Sequence, residues 1–220
     1  MAEVGRNIEL VMPSPKKFFT PAVTMTLVLM VIGFALANYA KEFTANYLAL
    51  STPGVFSGRI WQLVTYPFIE VFGWSLVFNG SLLLFVGSTI EREWRTVVFV
   101  LLWLVVSVIC GLAWVLVCWL TGNNYIGFGA SACGFGLIAV FGVLFRRKRF
   151  LAFFWALEAQ HIAIGLIVIE IILSIPQPIT LIWVSGALVA YLYVKLRMRA
   201  SMAGAAPRVQ SRRHSFVDID

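Results

Sequence analysis

Charged residues, histidine and cysteine are all scarce in this chain of 220 residues. Only 12% of the residues are charged and 60% are hydrophobic, whereas a soluble domain has about 25% charged residues. So few charges cannot cover the surface of an ordinary water-soluble enzyme or binding domain. The two histidines and three cysteines show no ligand spacing typical of a metal centre, and no cofactor motif is present. The composition predicts a membrane protein with a single domain and no cofactor.

Six apolar runs are long enough to cross a bilayer. Backbone polar groups have no water partner in lipid, so such runs are expected to be helical. The fifth run contains His161 and Glu170, and the sixth ends in a basic cluster. The sequence therefore predicts an all-α membrane protein with six transmembrane helices, at residues 18–40, 71–90, 96–120, 127–145, 159–175 and 179–194.

Basic residues fall almost entirely on one side of this predicted topology. Of the 17 Lys and Arg residues, only Lys41 and Arg59 lie on the other side. Loops that remain in the cytoplasm carry the excess of Lys and Arg, so both termini are predicted to be cytoplasmic. The predicted organisation is an N-terminal segment (1–17), a membrane domain (18–199) and a disordered tail (200–220). In a bacterium, the membrane would be the plasma (inner) membrane.

The net charge of +7 is therefore interpreted as a signal of topology. A nucleic-acid-binding protein would need a basic face on a soluble domain, and the sequence does not indicate one. Attraction between the basic loops and anionic headgroups is a smaller expected effect. Membrane lipid is thus an expected partner, and nucleic acid is not.

The regions between the spans carry further expectations. Residues 41–70 form a long external loop, whose aromatic residues Trp61, Tyr66 and Phe68 are expected at the headgroup level. Residues 151–157 are predicted to form an interfacial ribbon that leads into the fifth helix. All three cysteines lie inside predicted helices, where we expect them to behave as small hydrophobic residues: Cys110, Cys118 and Cys133.

Three predicted helices carry a distinctive residue at about the same depth. Asn79, Ser131 and Trp183 each lie about one turn inside the external end of the second, fourth and sixth helix. Residues 127–131 are expected to open the fourth helix, with Ser131 about four residues inside it. At 1.5 Å per residue, the three positions lie roughly 6–8 Å below the external surface. Small residues that permit close helix packing surround two of them, so Ser131 can also be interpreted as a packing residue.

Several stretches of the chain resemble, in order, the motifs of the rhomboids, a family of intramembrane serine proteases. The resemblance covers about residues 55–197. It rests on residues 61–68 (WQLVTYPF), Phe78-Asn79 with Gly87 and Glu91, Gly129-Ala130-Ser131 with Phe135-Gly136, the basic stretch 146–154, and residues 186–191 (GALVAY). In the same order, these stretches are similar to the family's first-loop stretch, its HxxxN segment with a GxxxE ending, its GxSG nucleophile motif, the start of its fifth helix, and its sixth helix.

The resemblance implies a serine protease site in which two of the four positions differ. Ser131 matches the nucleophile and Asn79 matches a donor to the oxyanion. Ser75 stands where the family has a second oxyanion donor, a histidine, and Trp183 stands where it has the general base, also a histidine. In addition, Ala132 replaces the glycine that follows the serine.

The substitution at Trp183 matters most for the chemistry. A serine hydroxyl is a poor nucleophile until a neighbouring base accepts its proton, and an indole nitrogen can only donate. His161 is predicted at the cytoplasmic end of the fifth helix, where Glu158 is a suitable partner, and His214 in the cytoplasmic tail. Neither is expected to reach Ser131, and Glu170 is expected to turn towards the surface.

Three functions remain open from the sequence. The first is a rhomboid-like protein that has lost proteolysis and binds transmembrane segments of client proteins. The second is a working intramembrane serine endopeptidase that uses Ser131 with another base. The third, a transporter or channel, is disfavoured because the sequence has no inverted repeat and no set of intramembrane charges.

Overall fold

Long apolar helices form the body of the computed structural model, which describes residues 19–145, 149–152, 155–174 and 181–204. In chain order the helices are α1 (Pro21–Tyr39), α2 (Lys41–Phe43), α3 (Thr52–Phe56), α4 (Gln62–Thr65), α5 (Gly73–Leu82), α6 (Ser88–Trp94), α7 (Thr96–Thr121), α8 (Ser131–Leu144), α9 (Ala159–Ser174) and α10 (Leu181–Gly204). A π-helical turn at Leu83–Gly87 joins α5 to α6, so that Gly73–Trp94 is one continuous helix. The predicted segment 1–17 lies outside the described residues.

Three helices of the described part are long and apolar enough to cross a membrane: α1, the continuous helix Gly73–Trp94, and α7. They lie at the first three spans predicted from the sequence. Helices α8, α9 and α10 lie at the other three predicted spans. The chain is thus a helical integral membrane protein.

The structure differs from the sequence prediction in the segment before α9 and at the end of α10. Strands β1 (Arg149–Ala152) and β2 (Trp155–Glu158) form an antiparallel hairpin before α9, where the sequence predicted a ribbon. Helix α10 continues to Gly204, beyond the boundary at residue 199 that was predicted for the membrane domain. The rest of the predicted tail, 205–220, lies outside the described residues.

Helix α8 is the central element of the fold. Ten of its 14 residues are buried, and it packs against α10, α9 and α7. Its contact with α10 is very close, because a Cβ atom added at Gly186 would lie 2.1 Å from the carbonyl oxygen of Ala132. A Cβ atom added at Gly136 would lie 3.3 Å from Cβ of Ala190. Small residues therefore set the distance between the two helices, as the sequence predicted.

The loop between α1 and α5 folds into short helical turns that pack on α1 and α7. Tyr66 begins a 3₁₀ turn, Tyr66–Phe68, and is fully buried inside the protein. Its hydroxyl donates to the carbonyl oxygen of Ser107 on α7 (3.1 Å). Burial raises the pKa of the Tyr66 phenol, which keeps it neutral and able to donate this bond. Trp61, in contrast, is about half exposed.

A buried carboxylate ties the start of α1 to α6 and α7. Glu91 accepts hydrogen bonds from the backbone N–H groups of Ala22 and Val23 (both 3.0 Å) and from the hydroxyls of Thr20 and Thr96. The first N–H groups of a helix have no partner within it, and α1 has no side-chain cap of its own. Glu91 therefore caps α1 from another helix.

Candidate active site

A non-helical segment leads into α8 and positions Ser131. Residues 127–130 precede the helix, and Gly127 forms a two-bond bridge with Leu50 of the long loop (2.8 and 2.9 Å). The expectation that these residues open the helix is therefore wrong, and Ser131 is the first residue of α8. The bridge satisfies the backbone groups of this segment outside the helix, which lets α8 begin four residues later than its hydropathy indicated.

Gly129 turns the chain immediately before Ser131. Its φ angle is +95°, in the left-handed region that favours glycine, and its N–H donates to the carbonyl oxygen of Tyr66 (3.1 Å). This conformation accompanies the turn that directs the N–H of the next residue, Ala130, towards a side chain of the long loop. The left-handed backbone conformation therefore explains why a glycine occupies position 129 of the Gly129-Ala130-Ser131 motif.

The side chain that Ala130 contacts is Glu70. Its carboxylate is 1% exposed and accepts three hydrogen bonds. Oε1 accepts from the backbone N–H of Ala130 (3.1 Å) and from Nδ2 of Asn79 (2.8 Å), and Oε2 accepts from the hydroxyl of Ser75 (2.7 Å). Glu70 thus joins the long loop, α5 and the start of α8 at one point.

Asn79 and Ser75 lie one turn apart on α5 and face the same carboxylate. Nδ2 of Asn79 also lies 3.3 Å from the hydroxyl oxygen of Ser75, so that the three polar side chains form one network. A Cβ atom added at Gly134, one turn into α8, would lie 3.7 Å from Oδ1 of Asn79. The structure therefore brings Asn79 to the first turn of the helix that Ser131 begins.

Ser131 is half-buried beside this network without joining it. No hydrogen bond links its hydroxyl to any other residue of the described part. The carboxylate of Glu70 is bonded to the backbone of the preceding residue, Ala130, and not to Ser131. Among the described residues, none accepts a hydrogen bond from this hydroxyl.

Trp183 lies near the start of α10, one turn before Gly186. Because Gly186 packs directly on the backbone of Ala132, this end of α10 lies beside the first turn of α8. The structure thus brings the segments that carry Asn79, Ser131 and Trp183 to the same end of α8. The residue of α10 at this position is a tryptophan, and an indole has no acceptor for a proton.

Of the remaining ionisable candidates, His161 lies away from Ser131. Nδ1 of His161 is 3.7 Å from Oε2 of Glu158, as the sequence predicted. The start of α9 packs at Gly142, where an added Cβ atom would lie 2.8 Å from Cβ of Ala163. Gly142 is 11 residues after Ser131, roughly 16 Å along the helix, so His161 lies at the opposite end of α8. Glu170 lies near the end of α9, and His214 lies outside the described residues.

The three cysteines are free thiols in helix contacts of the described structure. Sγ of Cys110 lies 3.5 Å from the hydroxyl oxygen of Ser185, and Sγ of Cys133 lies 3.7 Å from the carbonyl oxygen of Trp103. Both contacts link the helices that surround the site.

Sequence reasoning missed Glu70. The predicted topology places this residue at the end of an external loop, where a carboxylate is expected to be solvated. Its position three residues before α5 was the available signal, because an acidic side chain is favoured near a helix N-terminus. Its contact with Ala130, 60 residues away, is a tertiary feature that no local pattern shows.

Chemically, the network is a set of donors that already holds an anion. A serine protease stabilises the oxyanion of its intermediate with donors about 2.7–3.1 Å away, commonly a backbone N–H and a side-chain amide. Here a backbone N–H, an amide and a hydroxyl lie at those distances from the oxygens of Glu70. A substrate oxyanion that approached the same donors would meet a carboxylate.

Comparison with known proteins gives one family match. The family model of the Rhomboid domain matches residues 57–200 of this chain. That range includes Glu70, Ser75, Asn79, Ser131 and Trp183. A search of curated proteins found no match.

Proposed function

Because the chain belongs to the rhomboid family, we propose that it is a non-proteolytic member that binds transmembrane segments of client proteins. The observation that carries this proposal is Trp183 on the turn of α10 that precedes Gly186, which packs on Ala132 beside Ser131. The family resemblance assigns the general base to this position, and an indole cannot accept the proton. Loss of one member of a serine catalytic set lowers turnover by on the order of 10⁴–10⁶, by analogy with soluble serine proteases.

The roles of the individual residues follow from this proposal. Ser131 occupies the nucleophile position and Asn79 an oxyanion-donor position, while Ser75 and Trp183 replace the two histidines of the family. Asn79 and Ser75 donate to Glu70 instead of to a substrate. Retention of the fold without the base suits a protein that holds a transmembrane helix and leaves its peptide bonds intact.

The proposed topology has six crossings with both termini in the cytoplasm. It is supported by the three helices that can cross a membrane, by α8, α9 and α10 at the other predicted spans, and by the distribution of Lys and Arg. In a bacterium the protein would lie in the plasma membrane.

An active protease is the second candidate, and Glu70 is the observation that favours it. Its carboxylate contacts the backbone of the residue before Ser131, and a carboxylate can act as a general base. Both of its oxygens, however, already accept hydrogen bonds from other groups, and none comes from Ser131 in the described structure.

A reporter with one transmembrane segment tests the proposal. It is expressed with the wild-type protein or with the Ser131→Ala variant, and an active rhomboid protease serves as the positive control. We expect the reporter to stay intact with both proteins, because the proposal leaves position 131 without a base. We also expect it to co-purify equally with both, because the proposed binding of a transmembrane segment does not use the Ser131 hydroxyl. Cleavage by the wild type that disappears in Ser131→Ala would establish the protease, and loss of cleavage in a Glu70→Gln protein that remains folded would then favour Glu70 as the base.

A further inference from the structure

The carboxylate of Glu70 occupies a complete anion site. Three donors from two parts of the chain converge on it: the backbone N–H of Ala130 before α8, and the amide of Asn79 and the hydroxyl of Ser75 on α5. An ionised carboxylate only accepts hydrogen bonds, and here each bonded group can donate. The site is therefore complementary to an anion.

The surroundings of the site strengthen this complementarity. Ala130 is the N-cap residue of α8, and Glu70 itself lies just before α5. The N-termini of two helices, whose dipoles favour negative charge, thus lie close to the carboxylate. No Lys, Arg or His of the described residues forms a salt bridge with Glu70. Hydrogen bonds and helix dipoles, and no salt bridge of the described residues, hold this buried side chain.

The donors that bind the Glu70 carboxylate lie beside Ser131 and resemble those of an oxyanion site. Backbone N–H groups together with a side-chain amide are the kind of donors that bind the oxyanion of an acyl-transfer intermediate. Here the N–H belongs to Ala130, the residue before Ser131, and the amide to Asn79. We propose that Glu70 is an internal anion that permanently occupies the oxyanion donors beside Ser131. This inference deepens the proposed function and rests on it for the claim that these donors no longer serve a substrate.

The chemical consequence is a specific ligand class for the emptied site. Replacement of Glu70 by alanine removes a CH₂–COO⁻ group, and acetate is the free ion that matches this fragment. The donors of Asn79, Ser75 and Ala130 remain in place to bind it. A ligand that binds only the folded state raises its stability, so acetate should stabilise the variant and not the wild type, whose site is filled.

The experiment measures thermal unfolding of the full-length protein in detergent. The Tm of Glu70→Ala is compared in acetate, in chloride at equal ionic strength and in acetamide, the neutral analogue of acetate. We expect acetate alone to raise the Tm, by roughly 2–4 °C. The wild type and Glu42→Ala, which removes an exposed carboxylate of the same loop, should not respond. An equal response of Glu70→Ala to all three solutes would overturn the inference.

A second variant keeps the inference falsifiable if Glu70→Ala does not fold. Glu70→Gln preserves the shape of the side chain and replaces one acceptor with a donor. We expect a lower Tm than that of the wild type and no response to acetate. A wild-type Tm for Glu70→Gln would show that the site does not require an anion. Protease activity of the wild type would refute the proposed loss of proteolysis, whereas the acetate response tests only the occupation of the donors.

Discussion

The Gly186→Ala variant is expected to lose the stable contact between α8 and α10. The added Cβ atom would lie 2.1 Å from the carbonyl oxygen and 2.9 Å from the carbonyl carbon of Ala132. Both atoms belong to the backbone, so no side-chain rotation relieves the clash and the helices must move apart. Overpacking usually costs about 1–3 kcal/mol, and we expect a loss of about 3 kcal/mol or more here because backbone meets backbone.

The measurement is the unfolding free energy in detergent, together with the yield of monodisperse protein. Gly165→Ala on α9 is the matched control, because an added Cβ atom there meets nothing within 4 Å. Alanine is the better helix former, so this control should be neutral or more stable by up to about 1 kcal/mol. Equal stability of Gly186→Ala and Gly165→Ala would contradict the close packing of α8 on α10.

The Glu91→Ala variant is expected to release the start of α1 from the rest of the bundle. The carboxylate accepts from the N–H groups of Ala22 and Val23 and from two threonine hydroxyls, at a site that is 2% exposed. Its removal leaves these donors without an acceptor, and each unsatisfied buried group costs about 1–3 kcal/mol. We expect a total loss of about 3 kcal/mol.

Two further variants test this role of Glu91. Glu91→Gln keeps one acceptor oxygen and should cost less than Glu91→Ala. Glu93→Ala removes an exposed carboxylate two residues further on and should change the unfolding free energy by less than about 0.5 kcal/mol. Thermal unfolding and protease sensitivity of α1 measure both effects. A Glu91→Ala protein as stable as Glu93→Ala would show that the capping contacts contribute nothing.

The positions of the helices could be predicted from hydropathy because membrane-spanning segments need long uncharged runs. Helices α1 and α7 begin and end within three residues of the predicted spans. The start of α8 could not be predicted this way, because residues 127–130 are as uncharged as the helix that follows. The helix does not extend back through these residues because Gly127 forms a backbone bridge with Leu50, 77 residues away in sequence.

The site was predictable only where a residue itself carries the chemistry. Ser131 and Trp183 are informative from identity and spacing, because the sequence alone predicts a serine whose usual base is replaced by an indole. The partner of Asn79 is different: its amide was expected to face a substrate, and the structure bonds it to Glu70. That contact depends on how the long loop folds against α8, and the order of residues does not reveal it.

Covalent labelling by a fluorophosphonate tests the central claim most directly, because it requires no knowledge of the substrate. Labelling forms a bond from the Ser131 oxygen to phosphorus, releases fluoride and passes the hydroxyl proton to a base. We expect no labelling of the wild type, as for Ser131→Ala, because the position that should supply the base holds Trp183. Labelling of the wild type that disappears in Ser131→Ala would contradict the account.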